Sequence, residues 1–199
     1  MQKIILYGDD ILAGFEHGKV TAQMTQRLQK AFPQTTVINR ALPGHRTTDA
    51  LTHVQRDVSA LDPTVVVLFF GTNDILPVNE IKPGIFTNNL AHLFAALSPA
   101  QIILVSPPYI DYHKQPARSW PRQLQFELAS EHMARKYQLP YINLLKAMQA
   151  QQHPQQYLQE DGLTFNARGY DFLTHLLVPL IKNCLQRTPS ASALKKAPN

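Results

Sequence analysis

Cysteine occurs once among the 199 residues, at Cys184, so an internal disulfide is excluded. Cys184 falls in an apolar helical pattern, where a free thiol is expected to be buried and unreactive. No apolar run approaches the ~20 residues that a membrane span needs. The apolar start at Ile4 is interrupted by Asp9 and Asp10, short of the ~7–15 residues of an export-signal core. The chain is therefore expected to be cytoplasmic, with no membrane span. Metal-ligand spacing is also missing. His17, His53, His92, His132, His153 and His175 stand singly, with no His-x-x-x-His pair and no cysteine partner. No zinc site and no cofactor are expected.

Charge is sparse and only mildly one-sided. The 19 basic and 14 acidic residues give a net charge of +5. Three of the basic residues, Arg187, Lys195 and Lys196, lie in the last thirteen positions, which hold no acid. The remaining 186 residues carry sixteen basic against fourteen acidic side chains, or +2. That is no electrostatic footprint for a phosphate backbone, so nucleic acid is not an expected partner. Residues 1–186 are read as one domain. Residues 187–199, rich in Ser, Ala and Pro, are read as a basic, disordered tail.

What the chain does have is alternation of short apolar strands with helical patterns. Lys3 to Tyr7 runs straight into Gly8-Asp9-Asp10-Ile11, which reads as a buried strand ending in acids. Lys19 to Phe32 has apolar residues at helical spacing and is stopped by Pro33. Thr36 to Asn39 is a second strand, followed by the turn-rich Arg40 to His45. Thr47 or Thr48 can cap a helix over Asp49 to Leu61. Thr64 to Phe70 is the strongest strand, ending in Gly71-Thr72-Asn73-Asp74. A helix over Phe86 to Leu97, a strand over Gln101 to Ser106, and a long loop from Pro107 to Arg118 come next. Trp120 to Tyr137 is helical in pattern, Leu139 to Asn143 is a fifth strand, and Leu144 to Leu158 is helical with a break near Pro154. Ala167 to Gln186 forms the last helix, in which Pro179 should kink or end a segment. This order predicts an α/β fold: a three-layer α/β/α sandwich around a flavodoxin-like five-stranded parallel sheet, strand order 2-1-3-4-5.

In such a sheet the C-terminal strand ends face the ligand crevice. Gly8-Asp9-Asp10, Gly44-His45 and Gly71-Thr72-Asn73-Asp74 fall there, and Asp161-Gly162-Leu163-Thr164 precedes the last helix. These four blocks, in this order from residue 4 to about 170, resemble the SGNH or GDSL hydrolase family, and most of all its small bacterial lipase/acylhydrolases. Gly8-Asp9-Asp10-Ile11 matches the family's Gly-Asp-Ser-Ile/Leu, and Gly44 its second-block glycine. Gly71-Thr72-Asn73-Asp74 matches Gly-x-Asn-Asp, and Asp161 to Thr164, with Gly169 beyond, matches Asp-x-x-His. The resemblance implies the SGNH hydrolase fold and an acyl ester or other small molecule as partner. It also implies oxyanion or ligand donors at Gly44, Asn73 and the position 10 amide.

Two departures stand out. The nucleophile position of the resemblance holds Asp10 and its base position holds Thr164, while the orienting acid, Asp161, is retained. Serine attack needs a hydroxyl whose proton passes to an imidazole. A carboxylate is a poor nucleophile toward unactivated esters, and threonine takes no proton near neutral pH. The chain therefore reads as an esterase-like pseudoenzyme candidate with a retained ligand pocket and little or no ester hydrolysis. The alternative is an active hydrolase using Asp10 as nucleophile or general base, with His45 or a metal ion assisting. His45, next to Gly44, reads equally as a solvated loop residue. Asp10 and Asp161 can form a carboxylate pair, or Asp10 can be satisfied by Asn73 and backbone amides. Asp9 reads as structural. The loop Pro107 to His113, with Trp120, either walls a pocket or covers the core edge.

Overall fold

The structure is a computed structural model that describes residues 1–187, so the tail expected from Thr188 onward lies outside the described residues. Five parallel strands form the central sheet: β1 (Lys3–Gly8), β4 (Thr36–Asn39), β5 (Val65–Phe69), β6 (Gln101–Val105) and β7 (Tyr141–Ile142). Their spatial order is β4-β1-β5-β6-β7, the expected 2-1-3-4-5. β1 is in register with β5 from Ile4 opposite Val65 to Gly8 opposite Phe69. Every residue of β5 is fully buried.

Alternation along the central strands explains why they read as continuous apolar runs. Ile4, Leu6, Val65, Val67, Phe69, Ile103 and Val105 face one way. They pack with Met24 and Leu28 of α2 (Gln23–Ala31) and with Leu173, Leu177 and Ile181 of α7 (Ala167–Gln186). Ile5, Tyr7, Val66, Leu68, Ile102 and Leu104 face the other way. That face is covered by α3 (Thr47–Asp57), α4 (Pro83–Leu97) and α5 (Trp120–Lys136). Two shorter helices, α1 (Asp10–Ala13) and α6 (Leu144–Gln149), open directly after β1 and β7. Cys184 is buried, and burial pushes its thiol up from the ordinary value.

Two local expectations are corrected and a third is narrowed. Lys19 and Val20 are not the start of a helix. They form β3 (Lys19–Val20), paired antiparallel with β2 (Phe15–Glu16) around a two-residue turn at His17 and Gly18. Both turn residues have positive φ, the backbone that a tight hairpin with right-twisted strands requires, and Gly18 adopts it freely. Val20 is consequently exposed. The third helix begins at Thr47, and Asp49 rather than a threonine closes its first turn by accepting from the Arg46 N–H at 3.0 Å. Pro179 does not end α7, which runs unbroken from Ala167 to Gln186.

Candidate active site

The end of β1 is shaped by what Gly8 lacks. A Cβ there would lie 2.2 Å from the carbonyl oxygen of Phe69, so the chain can pass β5 closely only as glycine. Asp9 then turns inward and is fully buried. Its Oδ2 accepts from the Thr72 N–H at 3.1 Å and from the Thr72 hydroxyl at 2.6 Å, while Oδ1 has no protein partner. Burial, followed by the neighbouring Asp10 charge, pushes the Asp9 carboxyl well above the usual range. Asp9 thus ties the β1 end to the β5 end, consistent with its structural reading.

Asp10 opens α1 and turns outward. Its Oδ2 accepts from the Gly44 backbone N–H at 3.1 Å and from the Asn73 side-chain amide at 2.5 Å. Gly44 reaches this place because the Leu42 N–H bonds the Gly8 carbonyl at 3.0 Å and because Gly44 adopts φ 78°. Asn73 is held from several sides. Its Nδ2 also points to the His45 carbonyl at 3.3 Å, its own carbonyl accepts from Asn79 Nδ2 at 2.7 Å, and its Oδ1 faces Arg118 at 3.4 Å. Gly71, at φ 126°, lets the strand end turn beneath Pro107. Asp74, which follows Asn73, serves the scaffold. It is buried and accepts from the backbone N–H and the hydroxyl of Thr47, fixing the start of α3. Burial raises its carboxyl to about 6.

The fourth block forms a closed turn. Asp161 Oδ1 accepts from the N–H groups of Leu163 and Thr164, each at 2.9 Å, and Oδ2 accepts from the Thr164 hydroxyl at 2.6 Å. Residues Leu158 and Phe165 bridge behind the turn. Gln159 donates to the carbonyls of Phe165 at 2.8 Å and of Phe15, on the β2–β3 hairpin, at 3.4 Å. The loop after β6 docks on the same turn, with the Asp111 N–H on the Gly162 carbonyl at 2.9 Å and Gln115 Nε2 on the Asp161 carbonyl at 2.9 Å.

Asp10, Gly44 and Asn73 are therefore in direct contact, and Asp161 and Thr164 form a second bonded pair. Asp10 and Asp161 both act electrostatically on the Arg118 guanidinium and on the Tyr170 phenol. Among the described residues the two carboxylates share no hydrogen-bond partner, and Asn73 and the Gly44 amide both donate to Asp10 Oδ2. The His45 ring lies beside that of His53, centroids 6.3 Å apart, and makes no hydrogen bond to Asp10 among the described residues. Tyr109 packs against the core, in keeping with the core-edge reading of that residue. Among the described residues no group of three or more His, Cys, Asp or Glu is arranged to hold a metal ion. No described helix is long and apolar enough to cross a membrane. An open cavity of about 530 Å³, lined by Pro77, Ile81, Ile85 and Arg122 among others, adjoins the loop after Asn73, but Asp10, Gly44 and Asn73 do not line it.

The profile of the GDSL-like lipase/acylhydrolase family matches residues 6–172. The chain belongs to this family. A lipase/acylhydrolase from Enterococcus faecalis superimposes with a TM-score of 0.90 at 31% identity, covering 96% of this chain and all of that one. An acetylxylan esterase from Geobacillus stearothermophilus, solved as a catalytic serine-to-alanine mutant, superimposes with a TM-score of 0.74 at 21% identity, covering 90% and 94% of the two chains. An α/β hydrolase enzyme from the metagenome of Lake Arreo, Spain, gives 0.73 at 21% identity, covering 94% and 97%. The last two likenesses speak for the fold alone. A search of curated protein sequences returns no match.

The residue that sequence reasoning missed is Arg118. It stood only as the end of a loop, yet it is 7% exposed and bonds the Thr72 carbonyl at 2.8 Å beneath the site. Its burial, at the end of a polar loop, leaves no local signal in composition or spacing.

Proposed function

We propose that this GDSL-family chain is a ligand-binding relative of the acylhydrolases, with weak or no ester hydrolysis. One observation carries the reading: the Gly44 N–H and the Asn73 amide both donate to the same oxygen of Asp10. Donors of this kind stabilise an ester's developing oxyanion only when they are free to meet it. Here a resident carboxylate oxygen takes them, and an incoming carbonyl oxygen would have to displace a negative charge. On the other side, Thr164 offers no imidazole and Asp161 is bonded to Thr164 itself. The proposed roles are those the family resemblance implies. Asp10 fills the nucleophile position, Thr164 the base position and Asp161 the orienting position, while Gly44 and Asn73, the oxyanion or ligand donors by resemblance, hold the Asp10 carboxylate.

Short-chain p-nitrophenyl esters test the reading. The native protein should hydrolyse them near background. Asp10→Ser alone and Thr164→His alone should add little, because each restores one member of a unit that works only together. The double variant should exceed the sum of the singles, since such groups are strongly non-additive. Robust turnover by the native protein, abolished by Asp10→Asn, would overturn the proposal and favour an Asp-based hydrolase.

A further inference from the structure

Arg118 ends a short 3-10 turn (Pro116–Arg118) just before α5, and its guanidinium is directed inward. Its Nε donates to the Thr72 carbonyl at 2.8 Å, Nη1 to Gln115 Oε1 at 2.7 Å, and Nη2 to Asn73 Oδ1 at 3.4 Å. An asparagine amide is nearly symmetric in shape, so its partners decide which end points where. At Asn73 the oxygen faces a group that can only donate, and the nitrogen faces a carboxylate that accepts. The chain of contacts is therefore continuous from Arg118 through Asn73 to Asp10.

A buried cation is costly unless nearby negative charge compensates it. Burial weakens the proton affinity of Arg118, and the carboxylates of Asp10, Asp9 and Asp161 oppose that effect. The same loop is gripped by a second arginine, which supplies a contrast. Arg122 Nε donates to the Ile75 carbonyl at 2.6 Å, and its guanidinium lies over the Phe126 ring. Arg122 makes no hydrogen bond to Asn73 among the described residues.

We propose that Arg118 is a positioning residue, which holds the Asn73 amide with its nitrogen toward position 10 and supplies the buried positive charge that balances the Asp10 carboxylate. The proposal builds on the reading that Asp10 occupies the oxyanion donors. It also gives that reading a physical condition: a carboxylate can settle at the nucleophile position because a cation already lies beneath Asn73.

The test is a double-mutant cycle on folding, measured by urea denaturation, with Arg118→Met made in the native protein and in Asp10→Ser. The folding equilibrium constant should fall about tenfold more when Asp10 is present, within the range of coupling between contacting groups. Arg122→Met should cost the same in both backgrounds. Equal losses for Arg118→Met in the two backgrounds would overturn the charge-balancing role, because a purely structural clamp is indifferent to residue 10. Should Arg118→Met not fold, Arg118→Lys gives the second reading. In ¹H–¹⁵N spectra, the Asn73 side-chain amide protons of the native protein should exchange slowly with solvent. In Arg118→Lys, which keeps the charge and loses the fork, they should exchange at least tenfold faster. Unchanged Asn73 exchange would overturn the positioning role. Ester turnover by the native protein would sink the functional reading and leave this coupling intact, so the two failures are separable.

Discussion

The Thr164 hydroxyl donates to Asp161 Oδ2 at 2.6 Å. The acid that the family resemblance casts as the orienter of a histidine is thus satisfied by the residue in that histidine's own position. Thr164 is 3% exposed whereas Asp161 is exposed, so the bond is only partly shielded from water. Thr164→Val, which keeps the shape and deletes the hydroxyl, should cost about 1 kcal/mol of folding stability. Thr164→Ser should cost less, because the donor remains. Urea denaturation of the two variants checks this, and equal losses would show that the hydroxyl bond contributes no more than the methyl group.

The retained donors should act once the occupant is removed. On the background of Asp10→Ser with Thr164→His, Asn73→Ala should lower kcat on the order of 10²–10³, the scale of one oxyanion donor. A change confined to KM would place Asn73 in ground-state binding only.

Asp74 predicts a pH dependence. Its carboxyl is raised from 3.8 to about 6 by burial, so between these values the folded state holds more protons than the unfolded state. Its contribution to stability therefore falls as pH rises through that window and stays low above it. In Asp74→Asn this loss is absent, while an acceptor for Thr47 remains. The variant's stability relative to the native protein should rise by roughly 2 kcal/mol between pH 4 and pH 7, at about 1.4 kcal/mol per pKa unit. Urea titrations at several pH values measure the difference. A constant gap would show that Asp74 titrates alike in both states.

Gly71 should tolerate no side chain. Its φ of 126° is strained for an L-residue, and a Cβ there would lie 2.5 Å from Pro107 Cγ. Gly71→Ala is expected to destabilise by about 2 kcal/mol or more, of which backbone strain alone contributes on the order of 1–3 kcal/mol. Thermal unfolding checks it. A loss below one degree would mean that the β5 end has another conformation within easy reach.

Local pattern carried much of the architecture. β1, β5 and β6 were legible because strands buried on both faces must be apolar without interruption, and their polar ends then mark the crevice. Gly71 to Asp74 was legible for the same reason. Less visible was anything settled by partners distant in the chain. Asp49 took the first-turn role expected of a threonine because Thr47 had been drawn to Asp74. Val20 fits a helical period but is exposed, because a two-residue turn at His17 and Gly18 had already set a hairpin. Arg118 was invisible because an arginine's burial depends on what three other segments bring to it.

The bridge between Leu158 and Phe165, with Gln159 clasping the turn's own backbone, has a consequence for how sequence can drift here. Position 164 stands beside the bridging Phe165, and its hydrogen bonds go to Asp161 and Gln159 of the same turn. Position 10 is joined to two other segments through Gly44 and Asn73, and through Asn73 to a third at Arg118. The two departures are therefore unequal. Residue 164 makes its hydrogen bonds only within its own turn, whereas residue 10 can change only to something its distant neighbours will accept.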